Sequence, residues 1–354
     1  MSDATASDRL RVVVAAPLAP ELCDLLVARE PRIDLVVDQT LLPPMRHPAD
    51  FSGDPSFRRT PEQQAAYEAL IDSAEALYGI PDVDPAALAR TVRANPALRW
   101  VHTMAAGGGG QVRAAQLTDD ELRRVTFTTS AGVHGDALAE FAVFGVFAGA
   151  KHLPRLQRQQ REREWSGRWV MSQVADQTVL VLGLGGIGQA VARQLAALGT
   201  TVIGTSRSGA SVPGVSRVIH PDDVAEVLPE VDAVVATLPG TDATHHLVGR
   251  DFFAALRPGA TLVNVGRGTV IDEAALLEAL DAGTVGFAAL DVFEVEPLPS
   301  DSPLWSHPDV LVSPHTAALD AREDGRIAEL FADNATRLLD GTPQRNVVDT
   351  IEFY

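Results

Sequence analysis

The sequence predicts an α/β protein of two domains, each a parallel β-sheet covered by helices. The chain has 354 residues, more than one hydrophobic core usually holds. Short apolar segments alternate with helical patterns along most of the chain, and this alternation is typical of parallel sheets. A glycine-rich turn at residues 183–188 joins an apolar segment to an amphipathic one in the second half of the chain.

Composition and charge argue against several classes of protein. The chain carries 29 Lys and Arg against 47 Asp and Glu, a formal net charge of −18, so we expect no nucleic-acid or membrane partner. Its one cysteine, Cys23, excludes an internal disulfide and a cysteine-rich metal site, which suits a reducing, cytoplasmic compartment. No apolar run is long enough to span a membrane, and residues 1–8 lack the pattern of a signal peptide.

The first part of the chain predicts a flavodoxin-like α/β domain. Its strand candidates are 11–16, 33–37, 76–79 and 99–103, and its helix candidates are 20–28, 61–73 and 85–94. Residues 43–59 are rich in proline and charge and predict an inserted loop.

A second alternation begins near residue 176 and predicts a Rossmann-type, doubly wound sheet of six strands. The strand candidates are 178–182, 201–204, 233–237, 261–265, 286–290 and 310–312. Asp272 is placed to cap a helix at 273–282, and residues 321–339 predict a final helix that packs onto the first domain. We therefore expect a nucleotide domain at 133–317, a substrate domain formed by 1–132 and 318–354, and a cleft between them.

The turn at 183–188 has the pattern G-x-G-x-x-G and directly precedes a predicted helix. Gly183 permits the tight turn, Gly185 lets the backbone approach a pyrophosphate, and Gly188 lets the helix pack against the strand. Gly186 and Ile187 begin that helix, where free N–H groups favour an anion. A purely structural turn is the alternative interpretation.

The end of the second strand indicates which dinucleotide binds. An acidic residue there would bind the ribose 2′-hydroxyl of NAD. This chain instead has Ser206, Arg207 and Ser208. Arg207 can pair with a 2′-phosphate and the serines can donate hydrogen bonds, so we predict NADP in preference to NAD. The alternative is that Arg207 only faces solvent.

Three polar residues follow three successive strands of this domain, at the sheet edge where ligands bind. Arg267 can hold a carboxylate and polarise a carbonyl oxygen, and His315 can deliver a proton to that oxygen or remove it. Glu296, bonded to the other ring nitrogen, would fix the tautomer of His315 and favour the imidazolium. Each residue alone can be a solvated surface group, so their joint placement carries the prediction.

These residues resemble the D-isomer-specific 2-hydroxyacid dehydrogenase family, which includes glycerate, phosphoglycerate, glyoxylate/hydroxypyruvate and D-lactate enzymes. The matching stretches are Val181–Gly188, Thr237–Pro239, Leu262–Gly268, Ala289–Pro297 and Ser313–Ala317. The resemblance implies hydride transfer between NAD(P)H and a small 2-oxo or 2-hydroxy acid, with Arg267, Glu296 and His315 as catalytic residues, and a homodimer. It also implies cofactor contacts from Thr237, Leu238, Pro239, Val265, Gly266 and Asp291.

In the first domain the resemblance is looser. It implies that the loop of Ala105, Ala106 and Gly107 supplies backbone N–H groups to the substrate carboxylate, and Tyr78 is expected to face the same substrate. The glycine run 107–110 departs from the family pattern, so we expect a loop that is more mobile or shaped for another substrate. Residues 43–59 have no clear counterpart.

Two other functions stay open. A formate or phosphite dehydrogenase of the same family is one, although formate enzymes carry glutamine where Glu296 stands. A nucleotide-sensing corepressor is the other, and an intact Arg–Glu–His set does not exclude it. We expect no metal site, because adjacent His245 and His246 would point in different directions on a helix or strand. The other attractive histidines, His102 and His134, are expected in the core or at a hinge.

Overall fold

The computed structural model describes residues 9–351 and Phe353, which form two compact units. The first unit runs to His134 and resumes at Leu319, and the second is Gly135–Ala318. Residues 1–8, for which the sequence predicts no signal peptide, lie outside the described residues. Within the part of the chain that is described, no helix is long and apolar enough to cross a membrane.

The first unit contains a five-stranded parallel sheet with the order β2-β1-β3-β4-β5, which confirms the flavodoxin-like prediction. Its strands are β1 (Leu10–Val14), β2 (Ile33–Val36), β3 (Ala76–Tyr78), β4 (Trp100–His102) and β5 (Thr126–Thr128). Its first five helices are α1 (Pro20–Arg29), α2 (Pro61–Ile71), α3 (Pro85–Ala94), α4 (Gly109–Ala114) and α5 (Asp119–Arg124).

The two shortest helices of this unit, α4 and α5, have too few buried residues to show a helical period in the sequence. The second half of the glycine run, Gly109 and Gly110, begins α4, and Gly108 directly precedes the helix. A Cβ on Gly108 would lie 1.7 Å from Oγ1 of Thr103, so the absence of a side chain lets the turn pack on the residue that follows β4.

The inserted loop at residues 43–59 is held in part by Arg46, which donates to the buried Asp50 carboxylate over 2.7 and 2.9 Å.

The second unit contains a seven-stranded parallel sheet with the order β12-β11-β10-β9-β6-β7-β8. The strands are β6 (Thr178–Leu182), β7 (Thr201–Thr205), β8 (Arg217–Ile219), β9 (Ala233–Ala236), β10 (Ala260–Asn264), β11 (Val285–Leu290) and β12 (Val310–Val312). The helices are α6 (Gly135–Ala150), α7 (Leu153–Glu162), α8 (Gly186–Ala197), α9 (Val224–Val227), α10 (Arg250–Ala255) and α11 (Glu273–Asp281).

The Rossmann-type class is confirmed, but the prediction of six strands is wrong. The strand that the sequence does not reveal is β8, a three-residue edge strand that pairs only with β7. It begins with an exposed arginine and its other two residues are half-buried, so no apolar run marks it. β8 is the third strand of this unit along the chain and lies at the edge of the sheet. The next strand, β9, lies between β6 and β10.

The register of the last three strands aligns the loops that follow them. Asn264 of β10 pairs with Leu290 of β11, and Leu290 pairs with Val312 of β12. All three strands therefore end at the same level, and the segments after them emerge side by side from one edge of the sheet.

The last helix, α12 (Glu323–Leu339), belongs to the first unit, where it packs on α1 as predicted. Its Phe331 stacks on Trp100 of β4 with ring centroids 4.3 Å apart.

The predicted cap of α11 is also confirmed, since the Asp272 carboxylate accepts a hydrogen bond from the N–H of Ala275 over 3.0 Å. Helix α7 was not predicted because it buries no residue.

Candidate active site

An arginine, a glutamate and a histidine meet at the edge of the second unit's sheet. Nδ1 of His315 lies 2.7 Å from Oε2 of Glu296, whose other oxygen accepts the N–H of Phe293 over 3.0 Å. Arg267 lines the same cavity, which has a volume of about 410 Å³. The cavity is lined by Gly240, Arg267, Gly268, Thr269, Phe293, Glu294, Glu296 and His315.

The backbone at Arg267 is fixed by the last residue of β10. The buried Asn264 side chain donates to the carbonyl of Arg267 and accepts from the N–H of Gly266, both over 3.0 Å. One guanidinium nitrogen of Arg267 donates to the Gly266 carbonyl over 2.7 Å. A guanidinium has five N–H donors, so this single bond leaves donors for a carboxylate or carbonyl oxygen in the cavity.

The loop that carries His315 is held by a fully buried carboxylate. Oδ1 of Asp291 accepts hydrogen bonds from the hydroxyl of Ser313 and from the N–H groups of Thr316 and Ala317, over 2.6, 2.9 and 3.0 Å. The Asp291 carbonyl also accepts the N–H of His315 over 2.9 Å. His315 has a φ of 51°, a left-handed conformation that an ordinary residue keeps only when its surroundings hold it.

The glycine turn after β6 has the geometry that an anion site at a helix start requires. Gly183 has a φ of 94°, and Gly185 stands before the first turn of α8 without a side-chain cap. A Cβ on Gly188 would lie 1.9 Å from the Gly183 carbonyl oxygen, whereas a Cβ on Gly185 would meet nothing within 4 Å. The turn is therefore tight on its inner side and open in front of the helix, where Gly186 and Ile187 begin α8.

The other residues expected beside the dinucleotide surround this turn. The Thr237 hydroxyl donates to the carbonyls of Leu182 and Gly183 over 3.0 and 2.7 Å. A Cβ on Gly183 would lie 2.9 Å from the Leu238 side chain, and one on Gly266 would lie 2.6 Å from the Leu238 carbonyl. Pro239 directly follows Leu238, and the buried Val265 donates its N–H to the carbonyl of Ala236, the last residue of β9, over 3.1 Å, so both stand at the same edge of the sheet.

The segment after β7 is exposed. Ser206 and Ser208 share a hydrogen bond of 3.0 Å between their hydroxyls, and Arg207 stands between them in solvent. No partner for the Arg207 guanidinium is found among the residues that the structure describes.

The residues expected to meet substrate in the first unit fall into two groups. Ala105, Ala106 and Gly107 are exposed on the loop after β4. The Tyr78 side chain is fully buried and lies 5.1 Å from the ring of Phe331, and burial raises the pKa of its hydroxyl. Tyr78 therefore acts as a core residue of its unit, because β3 turns this side chain toward α12.

Two histidines, His102 and His134, are expected in the core or at a hinge, and the first of them is a core residue. His102 is fully buried between the hydroxyls of Thr128 and Ser130, at 2.8 and 3.1 Å. Burial lowers its pKa to about 3, so the ring is neutral at physiological pH. The second, His134, is the last residue of the first unit's opening segment. Its Nε2 atom lies 3.3 Å from the buried Glu323 carboxylate.

The sequence does not reveal a group of side chains that contacts Glu294, one of the residues lining the cavity. Nε2 of His246 lies 3.0 Å from Oε1 of Glu294, and Glu273 exchanges hydrogen bonds with Glu294. His246, Asp272 and Glu294 have ligand atoms within 4.8 Å of one another, the spacing of a metal site. Each of the two carboxylates accepts a backbone N–H, Glu294 from Glu273 and Asp272 from Ala275.

The family model for the D-isomer specific 2-hydroxyacid dehydrogenase, NAD binding domain, matches residues 143–317. The chain is 32% identical to glyoxylate/hydroxypyruvate reductase B of Serratia proteamaculans (strain 568) over 296 residues, which cover 82% of this chain and 89% of that protein.

Solved structures agree with this match. A D-isomer specific 2-hydroxyacid dehydrogenase from Xanthobacter autotrophicus Py2, in complex with NADPH and MES, is 30% identical with a TM-score of 0.75, covering 98% of this chain and 100% of that one. An NADPH-dependent glyoxylate/hydroxypyruvate reductase from Sinorhizobium meliloti, in complex with NADP and sulfate, is 26% identical with a TM-score of 0.75 and the same coverage.

The fold and the sheet-edge site define a class of nicotinamide-dependent oxidoreductases. Within that class, the chain belongs to the D-isomer specific 2-hydroxyacid dehydrogenase family.

Proposed function

We propose that this protein interconverts a small 2-oxo acid and its D-2-hydroxy acid with NADP(H), and with NAD(H) less efficiently. The observation that carries the proposal is the 2.7 Å contact of His315 with Glu296 beside Arg267 in one cavity. An imidazole backed by a carboxylate moves a proton, and a neighbouring guanidinium binds the carboxylate of the substrate.

The three side chains have separate roles. Arg267 holds the substrate carboxylate and polarises its carbonyl oxygen as negative charge develops there. Nδ1 of His315 faces Glu296, so Nε2 is the ring nitrogen that gives a proton to that oxygen and takes it back in the reverse direction. Glu296 keeps the ring oriented and stabilises its charged form. The bound dinucleotide supplies or accepts the hydride.

The residues present fit a dinucleotide. The space before Gly185 and the uncapped start of α8 can receive a pyrophosphate. Oδ2 of Asp291 is buried and has no hydrogen-bond partner among the described residues, so it can accept an N–H from an amide such as that of nicotinamide. We assign the cofactor contacts of Thr237, Leu238, Pro239, Val265 and Gly266 on the same grounds.

Arg207 supports a preference for NADP over NAD. It stands exposed between two serines where an NAD enzyme would place a carboxylate. The relatives of known structure from X. autotrophicus and S. meliloti were solved with NADPH and NADP. Glyoxylate and hydroxypyruvate, named for the S. proteamaculans and S. meliloti reductases, are therefore the first substrates to test.

A homodimer formed through the second unit is also part of the proposal. Five large apolar side chains between residues 144 and 171 of this unit are exposed: Phe144, Leu156, Trp165, Val170 and Met171. Exposed apolar side chains that form one patch mark association surfaces, and we assign these five to the dimer interface. Light scattering should give twice the mass of the 37.6 kDa chain, and a monomer at micromolar concentration would remove this part of the proposal.

The decisive experiment is a panel of 2-oxo acids, with glyoxylate and hydroxypyruvate first, assayed with NADPH and with NADH. Oxidation of NADPH by one of these acids would support the proposal. Binding of NADPH without turnover of any acid would favour a nucleotide sensor, and oxidation of formate or phosphite would favour the other enzymes of the family.

A substitution at His315 tests the proton transfer. Asparagine tolerates the left-handed φ of this position, so His315→Asn keeps the loop and removes the acid. We expect kcat to fall by about 100-fold or more while NADPH affinity stays within about twofold. The surface variant His220→Asn is the control. An equal loss of NADPH affinity would mean that His315 is structural.

A further inference from the structure

His246 contacts both loops that carry the proposed catalytic residues. Its backbone N–H donates to the Thr269 carbonyl over 2.8 Å, in the loop of Arg267. Its ring nitrogen Nε2 lies 3.0 Å from Oε1 of Glu294, in the loop of Glu296. The backbone conformation is left-handed, with a φ of 51°, and turns the chain after β9 so that one residue reaches both loops.

A reciprocal pair of hydrogen bonds joins the loop of Glu296 to the first residue of α11, the helix that follows the loop of Arg267. The N–H of Glu273 donates to Glu294 over 3.0 Å, and the N–H of Glu294 donates to Glu273 over 2.8 Å. Nearby, a Cβ on Gly268 would lie 1.8 Å from the carbonyl carbon of Phe293, so the loops pack backbone against backbone. A shift of one loop is therefore transmitted to the other.

This junction carries an excess of negative charge. Burial, and then the charge of Glu294, raise the pKa of Glu273. The neighbouring Asp272 caps α11, so it adds a third carboxylate close to the pair. Two carboxylates that share a site repel each other unless a proton or cation lies between them. Nε2 of His246 is the side-chain group in contact with Glu294, and it brings a positive charge to this pair when the ring is protonated.

We propose that His246 is a positioning residue for the reaction. By pairing with Glu294, it offsets the repulsion between the carboxylates of Glu273 and Glu294. It thereby fixes the position of the Arg267 loop relative to the Glu296 loop. The inference rests on the proposed function, because it takes Arg267 and Glu296 as catalytic groups. A displacement of about 1 Å between reacting groups is enough to cost about 100-fold in rate.

The first test is His246→Gln, which keeps a hydrogen-bond donor and removes the ring that can carry a positive charge. We expect kcat for the best 2-oxo acid of the panel to fall by about 10- to 100-fold, with KM for NADPH changed by less than about threefold. His245→Gln is the matched control, because that ring stacks on His246 at 4.0 Å without joining the two loops. An unchanged kcat in His246→Gln would overturn the proposal.

A second variant separates charge from packing. In Glu273→Gln the amide oxygen still accepts the Glu294 N–H, but one of the two negative charges is gone. We expect the double variant His246→Gln/Glu273→Gln to recover most of the lost kcat. Additive losses would show that His246 acts by packing and would overturn the proposal. If His246→Gln fails to fold, a folded and active double variant would support it, and a double variant that also fails to fold would overturn it.

Hydrogen exchange tests the junction without any assay of activity. The amides of Glu273 and Glu294 should exchange at least about tenfold faster in His246→Gln than in the wild type, while the amides of β6 stay unchanged. If the wild type reduces no 2-oxo acid, the proposed function fails, and the exchange rates still decide whether His246 holds the two loops together. Unchanged rates would overturn its role.

Discussion

The Ser313 hydroxyl donates a 2.6 Å hydrogen bond to Oδ1 of Asp291, a carboxylate with no solvent exposure. This bond joins the ends of two adjacent strands, β11 and β12, immediately before the loop that carries His315. The same oxygen accepts two further N–H groups from that loop. A buried carboxylate thus organises the backbone from which the imidazole projects.

Ser313→Ala should loosen this arrangement. The buried carboxylate loses one of its donors, so we expect the free energy of unfolding of the second unit to fall by about 1–3 kcal/mol. We also expect kcat to fall more than NADPH affinity, because the His315 loop relaxes. Thermal unfolding and steady-state kinetics measure the two effects.

The control for this prediction is Ser306→Ala, whose hydroxyl donates to the Pro303 carbonyl at the surface. It should change neither quantity measurably. A Ser313→Ala protein as stable as the wild type would show that the three remaining bonds to Asp291 hold the loop without the hydroxyl.

An added methyl group should destabilise the fold at Gly188 and leave its stability nearly unchanged at Gly185. Gly188→Ala places Cβ 1.9 Å from a backbone oxygen, so the turn must shift and stability should fall by at least about 2 kcal/mol. Gly185→Ala meets open space and has an ordinary φ of −73°, so stability should change by less than about 1 kcal/mol.

The same pair tests the dinucleotide site. Gly185→Ala should weaken NADPH binding at least about tenfold, because Cβ enters the space in front of the α8 helix start. Fluorescence titration with NADPH measures the affinity, and thermal unfolding confirms the fold. Full affinity in Gly185→Ala would mean that the phosphates do not lie against this turn.

Arg207→Asp should reverse the cofactor preference. A carboxylate at this position repels a 2′-phosphate and can accept hydrogen bonds from the ribose of NAD. The ratio of kcat/KM for NADPH over that for NADH should fall by about 100-fold. Arg158→Asp on α7 removes a positive charge elsewhere in the same unit and is the control. An unaltered ratio would show that Arg207 does not contact the 2′-phosphate.

Glu323 should make the first unit less stable as the pH rises. Burial, and then the charges of Asp324 and Asp320, raise its pKa from 4.5 to about 7. The folded state therefore binds this proton more tightly than the unfolded state. The stabilising contribution is complete below pH 4.5 and is lost as the pH rises from there to about 7.

Glu323→Gln removes this dependence. At pH 8 the variant should be more stable than the wild type by about 1–3 kcal/mol, and at pH 4.5 the two should be nearly equal. Thermal unfolding at both pH values is the measurement. Glu329→Gln, which alters an exposed ion pair with Arg29, should shift both melting points by little. An equal gain at both pH values would contradict a proton-linked cause.

The sequence predicted the parts of this protein that depend on local pattern. Strands β6, β10 and β11 are continuous apolar runs because both faces of a parallel sheet are buried. The glycine turn was recognisable because positive φ and close helix packing exclude side chains at fixed spacings. Arg267, Glu296 and His315 are predicted from the sequence as site residues because each follows a strand candidate by a few residues.

Other features carry no local mark. The edge strand β8 is too short and polar to show a period. Tyr78 ends a strand of the expected type, but only the position of α12 decides that its ring is buried against Phe331. The run of glycines predicts a loop that is more mobile or shaped for another substrate, whereas Gly109 and Gly110 begin helix α4 and Gly108 packs on Thr103 directly before it.

The amino-acid sequence by itself determined two parallel sheets, the glycine turn and the identity of three polar residues at strand ends, because periodicity and glycine geometry act over a few neighbouring residues. Only the tertiary structure decided which side chains hold those residues in place. Asp291 reaches Ser313, and His246 reaches Glu294, across segments distant in the chain. Such pairs form only when the register of neighbouring strands brings separate loops to the same edge of the sheet.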